Sequence, residues 1–557
     1  MNSPPRLLTL RAVRPGVRLL SFGCVLLVVL AGAGKAAAQQ PNIVLILTDD
    51  QRWDTVSYMP TVRSRLVEKG VTFANGFVTN PLCCPSRASI LTGSYSHRTR
   101  VYRNRNLFGG FANFRDESTV ATWLDGAGYD TALIGKYLNR YPGSYVPPGW
   151  DRWVALQPAG YYRYGFDIDG EDFPLKDRAR YSTDFLAREA VSFISTATSP
   201  FFLYFAPYGP HPPATPAARH SSAFADLPRW RPPSYNELEI ADKPRWVRAV
   251  PRWNAARRQS IDNLRRKQLQ SLLAVDEAVA SILHALARRG ALANTLIVFV
   301  SDNGFLWGEH RLTAKWYPYE ESVRVPFVVR YDTLISSART ETRAALGIDL
   351  APTFAEVAGV AAPGSEGRSL LSILGGNDVA WRTTFLVESL NREAPTYCAV
   401  RSFRYSFITY RTGVREIYDL AVDPNQLQNL AVTANGRTIV KRLVQPLARL
   451  CNPPPPGFDR RLLCTRNGTS TADTLVGTAR YDIMCGRDGA DRIRARAGPD
   501  YIFPGKGRDA VWGGAGRDHV LTREGNRDRI ACGSGLDIVR ADRIDVVAPD
   551  CEDVRRS

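Results

Sequence analysis

Apolar residues in this chain fall into short uninterrupted runs separated by amphipathic stretches, the alternation expected of a largely parallel α/β sheet covered on both faces. The runs "NIVLIL" (42–47), "TALI" (131–134), "FFLYFAPY" (201–208) and "TLIVFV" (295–300) read as strands. Each ends abruptly in polar residues: Thr48-Asp49-Asp50-Gln51, Gly135-Lys136, Gly209-Pro210-His211 and Ser301-Asp302-Asn303-Gly304. Open α/β sheets bind ligands just beyond the carboxyl ends of their strands, so these four endings are expected to converge on one site. Ahead of the last run, Leu269, Leu272, Leu273, Val275, Val279 and Leu283 recur at helical spacing and predict a helix packed on the sheet.

The pattern changes twice towards the C-terminus. Between about 379 and 445, "FLVESL", "YCAVRS", "YSFITY" and "EIYDL" predict a small antiparallel sheet with a closing helix. Cys451-Asn452 then leads into four prolines, Pro453 to Pro456, which favour an extended spacer. Past it, Asp473, Asp482, Asp491, Asp500, Asp509 and Asp518 recur every nine residues, and Asp528 and Asp537 continue the series after one ten-residue step. Most have an apolar residue two positions later and many a glycine two positions earlier, which predicts a repeating roll. The expected division is an α/β domain over 41–378, an antiparallel subdomain over 379–447, a Pro-rich linker over 448–470 and a repeat domain over 471–557.

Residues 1–38 have a different layout: arginines at 6, 11, 14 and 18, an apolar stretch from Leu19 to Gly34, and Ala36-Ala37-Ala38. That is the order of a secretory signal peptide, with cleavage expected after Ala38. The apolar stretch is too short for a bilayer and no later run reaches that length, so no integral membrane segment is expected after cleavage. Export permits disulfides among the eight cysteines that follow Cys24. Sequence does not fix the pairing; Cys451 with Cys464 and Cys532 with Cys551 are merely the closest candidates. A net charge of +18 at 44% apolar composition points to anionic partners or to an arginine-rich solvated surface. No nucleic-acid-binding module accompanies it, so no nucleic-acid partner is expected.

Asp49, Asp50, Asp302 and Asn303 offer oxygen ligands that suit a hard divalent cation, Ca²⁺ over Zn²⁺. Each pair alone reads equally well as a helix N-cap. Arg87, Lys136 and Lys315 are candidates for surrounding an anionic group, and His211, between Pro210 and Pro212, is a candidate proton donor. His97, His220, His284, His310 and His519 carry no comparable signal. Tyr161, Tyr162, Tyr164, Trp230 and Trp246, in loops 141–180 and 214–262, read either as core packing or as platforms for a sugar.

"CCPSR" (83–87) followed by "LTG" (91–93) resembles the C-x-P-S-R…L-T-G signature of the type I, formylglycine-dependent sulfatases of the alkaline phosphatase-like superfamily. "LTDDQ", "GKYLN", "GPHPP", "SDNG" and "GEHRLTAK" fall in that family's order, so the resemblance spans roughly 41–435. Within the family, "GKYLN" and the doubled cysteine are most similar to the N-acetylglucosamine-6-sulfatases. Many sulfatases have a histidine two residues after the lysine; here Leu138 stands there, which raises the weight on His211. The tail resembles the hemolysin-type calcium-binding repeats, with "GRDG", "ARAG" and "GKG" departing from the glycine pattern.

The resemblance implies an alkaline phosphatase-like domain, mixed but mostly parallel, with the antiparallel subdomain and then a β-roll. It implies conversion of Cys83 to formylglycine by a formylglycine-generating enzyme. One geminal oxygen of the hydrate attacks sulfur and the other later expels sulfate by re-forming the aldehyde. Asp49, Asp50, Asp302, Asn303 and modified Cys83 would hold Ca²⁺. Arg87 would steady the hydrate, Lys136 and Lys315 would bind sulfate oxygens, and His211 would protonate the departing alcohol. The expected activity is that of a secreted or cell-surface sulfatase acting on a sulfated carbohydrate, with further Ca²⁺ in the repeats. A phosphonate or phosphodiester hydrolase of the same superfamily, and an inert sulfatase-like domain on a calcium-dependent binding protein, are the alternatives.

Overall fold

The computed structural model describes residues 40–174, 180–198, 200–391 and 393–557. The expected signal segment, Cys24 included, lies outside the described residues. Four strands form the centre of a ten-stranded sheet: β1 (Asn42–Thr48), β2 (Asp130–Gly135), β3 (Phe201–Ala206) and β4 (Thr295–Ser301). They lie in the order β4-β1-β3-β2, each parallel to its neighbour. Thr48 is opposite Ser301, Ile46 opposite Phe205 and Gly135 opposite Ala206, so all four strands end along one line. The mixed character comes from the flanks, where Phe327–Arg330 runs antiparallel to β4 and Gly165–Ile168 antiparallel to Arg152–Leu156.

Every residue of β1 is buried, and its side chains alternate between two cores. Ile43, Leu45 and Leu47 face the core that takes up α1 (Cys83–Thr92), while Val44 and Ile46 face the core shared with α2 (Ser182–Thr196) and α3 (Ala255–Arg288). On α3, Leu269, Leu272, Val275, Val279 and Leu283 pack on the sheet as the spacing predicts, with Leu273 half-buried. This helix is long and apolar enough to cross a bilayer, but 72% of its most apolar window is buried inside the protein.

The antiparallel subdomain comprises β5 (Thr384–Ser389), β6 (Tyr397–Ser402), β7 (Tyr405–Tyr410) and β8 (Arg415–Asp419), hydrogen-bonded in chain order. Helix α4 (Ala434–Leu450) closes it with Ile439, Leu443, Val444 and Leu447. Residues 448–470 lie against this core, with Phe458 and Leu463 buried in it. One cysteine pairing differs from sequence proximity. The end of α4 sets Cys451 opposite Cys398 on β6, so these two are bonded. Cys464 instead bonds Cys485, because the short strand Arg466–Asn467 that follows it pairs with Ile483–Asp488. Cys532 bonds Cys551, and Cys83 and Cys84 are free and buried.

The tail is a roll of two parallel sheets. One contains Ile483–Asp488, Tyr501–Lys506 and His519–Thr522; the other contains Arg492–Ala497, Ala510–Ala515 and Arg529–Ser534. Ile493, Ile502, Val511, Val520, Ile530 and Val539 fill its interior. From Asp491 to Asp537, each repeat aspartate accepts a backbone N–H from the preceding coil: Asp482 N–H donates to Asp500 Oδ1 and Asp491 N–H to Asp509 Oδ1, both at 2.7 Å. The Oδ2 atoms of Asp491, Asp500, Asp509, Asp518 and Asp537 are buried without a hydrogen-bond partner. Arg487 and Arg496 adopt φ of 85° and 80° where Gly505 and Gly514 take 95° and 111° in later coils, so the turn keeps its shape where glycine is replaced.

Candidate active site

The line of strand ends brings the expected residues together. Asp49 and Asp50 leave β1, Asp302 and Asn303 leave β4, and Lys136 leaves β2. The β2 exit needs glycine: Gly135 has φ +129°, and a Cβ there would lie 2.0 Å from the Ala206 carbonyl oxygen. That close approach lets Lys136 N–H donate to the same carbonyl at 2.7 Å. Ser301 Oγ ties β1 to β4, accepting Gln51 N–H and donating to the Asn303 carbonyl, both at 2.9 Å. Cys83 opens α1 and Arg87 follows one turn later, so both face the strand ends from a helix whose residues 83–91 are all buried.

Cys83 Sγ is 3.5 Å from Asp49 Oδ1, 3.9 Å from Asp50 Oδ1 and 2.9 Å from Lys315 Nζ. Lys136 pairs with Asp49, and Lys315 pairs with Asp50. Arg87 donates from Nε to Asp302 Oδ2 at 2.8 Å and from Nη1 to the Lys136 carbonyl at 2.7 Å, while its Nη2 has no hydrogen-bond partner. Asn303 Nδ2 donates to Asp50 Oδ1 at 2.7 Å, which leaves its Oδ1 buried and unpartnered. His211 Nε2 lies 3.7 Å from Asp50 Oδ2, and Nδ1 is 2.6 Å from the Pro212 carbonyl oxygen. Tyr208 stacks on the imidazole with ring centroids 4.7 Å apart.

Burial is the largest influence on Asp49 and Asp50 and opposes their charge, yet Lys136 and Lys315 together with His211 and the remaining favourable contacts hold both carboxyls below their usual range. Burial also pushes the Cys83 thiol up to about 12, against the pull of the two lysines, so the unmodified side chain is a neutral thiol and a poor nucleophile. His211 is lowered because burial outweighs Asp50 and Asp49. Carboxylate ligand atoms of Asp49 and Asp50, Cys83 Sγ and a His211 ring nitrogen lie within 4.8 Å of one another. Together with the unpartnered Asn303 Oδ1, this oxygen-rich set fits a hard cation, while Arg87 Nη2 is a buried donor left for an anion.

Leu138 is buried in the core. His97 and His310 are held by Glu388 and Glu237, at 2.9 and 2.7 Å, and His220 by Glu277 at 2.9 Å. The loop aromatics pack: Tyr161 stacks on Tyr181, Trp246 on Tyr317, and Trp230 Nε1 donates to Glu309 at 2.8 Å. Sequence reasoning missed a cleft of about 390 Å³ whose walls include Leu82, Asn139 and Trp316, close in sequence to Cys83, Lys136 and Lys315. Arg103, Arg105 and Arg140 line it, and Asn104 Oδ1 accepts Cys84 N–H at 2.9 Å.

Residues 41–360 match the family model described as Sulfatase. The chain belongs to the sulfatase family. Residues 308–452 match the C-terminal model of N-sulphoglucosamine sulphohydrolase, and three stretches between 467 and 527 match the RTX calcium-binding nonapeptide repeat. Among sulfatases, the human N-acetylglucosamine-6-sulfatase is 32% identical, over 80% of this chain and 94% of that protein. An extracellular sulfatase SULF-1 homologue of Drosophila melanogaster is 34% identical over 65% of this chain, which spans only 34% of that longer protein. A solved structure in complex with D-glucosamine-2-N,6-O-disulfate, described as its substrate, superposes with a TM-score of 0.68 at 25% identity. The match covers 75% of this chain and 99% of the other.

Proposed function

We propose that the protein is an exported sulfatase that hydrolyses sulfate esters on glucosamine-type sugars of glycosaminoglycans, using Cys83 converted to formylglycine. One observation carries the reading: a buried cysteine at a helix start, ringed by Asp49, Asp50, Lys136 and Lys315, with one donor, Arg87 Nη2 at 3.9 Å from Asp49 Oδ2, and one acceptor, Asn303 Oδ1, left without a hydrogen bond among the described residues. The formylglycine hydrate would supply the attacking oxygen that a neutral thiol lacks. Asp49, Asp50, Asp302, Asn303 and Cys83 would hold Ca²⁺, which polarises the sulfate. Lys136 and Lys315 would bind sulfate oxygens, and Arg87 would orient the side chain at position 83. His211, as the imidazolium, would deliver the proton on Nε2 to the departing alcohol, because Nδ1–H is committed to the Pro212 carbonyl.

The substrate class draws support from the 32% identical glucosamine sulfatase and from the arginine-lined cleft, suited to a second anionic group on the sugar. The extracellular relatives support export, and the repeat match supports further Ca²⁺ in the roll. On this reading 1–38 is the signal peptide, 41–378 the catalytic domain, 379–447 its C-terminal subdomain, 448–470 a connecting segment that packs on that subdomain instead of the extended spacer its prolines suggest, and 471–557 the repeat domain. Mass spectrometry of the peptide containing Cys83, joined to turnover of an aryl sulfate and a phenyl phosphonate ester, tests it. The aldehyde and a preference for sulfate are expected. Unmodified thiol throughout a native preparation, or a large preference for phosphonate, would overturn the assignment.

A further inference from the structure

The two sheets of the roll have different surroundings. The sheet containing Ile483–Asp488 and Tyr501–Lys506 turns its outer face to the body, where Tyr481, Ile483, Tyr501 and Phe503 join the core beneath α4. Gln445 Nε2 donates to the Tyr481 carbonyl at 2.6 Å, and the Arg460 guanidinium lies 3.5 Å from the Tyr501 ring centroid. The other sheet turns its outer face to solvent. There Arg492, Arg494, Arg496 and Arg529 are exposed and Trp512 keeps 41% of its surface accessible.

Register sets their spacing. Arg492 is opposite Ala510 and Ala510 opposite Arg529, so the two arginines are two strands, about 10 Å, apart. In the next row, Arg494 is opposite Trp512, and its guanidinium lies 5.3 Å from the indole centroid. At the turn, Arg508 and Arg527 join Arg492 and Arg529 around a cleft of about 580 Å³. Asp473, Asp491 and Asp509 also line this cleft. Their carboxylates belong to the aspartate ladder, with Oδ1 of Asp491 and of Asp509 taking up backbone N–H groups, and Asp491 and Asp509 are buried. Among the described residues, none of Arg492, Arg494, Arg496, Arg508, Arg527 and Arg529 is ion-paired with a carboxylate.

An exposed indole on a flat sheet offers a hydrophobic face that matches the C–H face of a pyranose, and unpaired guanidiniums offer forks that fit sulfate oxygens. We propose that this face binds a sulfated polysaccharide, with Trp512 under a sugar ring, Arg492, Arg494 and Arg529 on sulfates beside it, and Arg508 and Arg527 continuing the track along the cleft. The choice of a sulfated glycan over other polyanions rests on the proposed function. A polymer held here has its chain ends retained near the protein, raising their effective concentration at the active site.

Full-length protein carrying Cys83→Ala, kept with calcium, is titrated with a heparin decasaccharide and binding is followed by calorimetry, with the tryptophan emission that Trp512→Ala removes as a second signal in the parent. Trp512→Ala and the triple variant R492Q/R494Q/R529Q are each expected to weaken binding about ten-fold or more, while R555Q/R556Q stays within about two-fold. Thermal melting at the parent temperature qualifies each variant for comparison, and W512A alone gives the answer should the triple variant melt early. Unchanged affinity in the qualified face variants overturns the proposal, as does equal affinity for desulfated heparin or for duplex DNA. Failure of the proposed function shows elsewhere, as wild-type protein that turns over no aryl sulfate while the decasaccharide still binds.

Discussion

At the strand ends of the body, Asp49 and Asp50 are buried beside Lys136 and Lys315, and their carboxyls are held below the usual range. In the roll, Asp500, Asp509, Asp518 and Asp528 are equally buried, and among the described residues none of them is ion-paired with a basic side chain. Burial pushes Asp500 up to about 8, Asp528 to about 7, and Asp509 and Asp518 to about 6, while backbone N–H groups pull them partway back. The difference is one of ownership of charge. The body carries lysine counter-charges for Asp49 and Asp50 in its sequence, whereas in the roll a row of aspartate Oδ2 atoms is buried with no hydrogen-bond partner among the described residues.

The contrast is tested most severely at Lys315. Lys315→Ala removes the cation that pairs Asp50 and contacts Cys83, and kcat/KM on an aryl sulfate is expected to fall at least ~10³-fold, with the roll's hydrogen-exchange pattern unchanged. Activity within ten-fold of the wild type would show that the body does not depend on its own cations. Next in size is calcium removal. Chelation is expected to speed amide exchange over the roll by ~100-fold while β1 and β4 stay protected.

The pH dependence of the calcium-free protein sharpens the contrast. Asp500, Asp509, Asp518 and Asp528 titrate in the fold above their unfolded value of 3.8, so the fold favours their protonated form. Their support is full below that value and is lost as pH rises through about 6 to 8. For Asp49 and Asp50 the sign reverses: support is present above the unfolded value and lost as pH falls through their lower folded values. Exchange at about pH 5 and about pH 8 in chelator should therefore show a better-protected roll at the lower value. Equal protection would break the comparison. The smallest effects concern the turn. Gly505→Ala would set a Cβ 1.8 Å from the Arg487 carbonyl oxygen at φ +95° and is expected to cost about 2 kcal/mol or more, read as a lower melting point of the roll. Arg487→Gly, at φ 85°, is expected to gain about 0.5 kcal/mol.

Much of the site was legible because strand exits are local. An apolar run with a polar ending marks both a strand and the place where its side chains reach the edge, so Asp49, Asp302 and Lys136 were found without knowing the strand order. Their neighbourhood was also legible, since parallel strands of similar length finish together. The cysteine pairing was not. Cys451 and Cys464 are close along the chain, but a helix end and a strand pairing carry them to different partners, and both depend on tertiary packing. The arginine-lined cleft escaped for the same reason: Arg103, Arg105, Arg140 and Trp316 come from separate loops whose meeting no periodicity encodes. The roll was read from its repeat alone, but which of its faces meets the body was not, because both sheets alternate inward and outward alike.

Cys83 has none of its surface exposed; it sits beneath four strand ends at the start of a helix buried along its length. No second enzyme can reach that sulfur once the chain has closed over it. If the side chain is altered as proposed, the alteration belongs to the lifetime of the extended polypeptide, and the route out of the cell must carry the chain while that segment is still a threadable peptide. A secretion pathway that handles only finished, folded cargo would have to receive a protein already altered inside the cell. On the proposed reading, burial of one sulfur atom sets an order of events for biogenesis, with chemistry first and folding second.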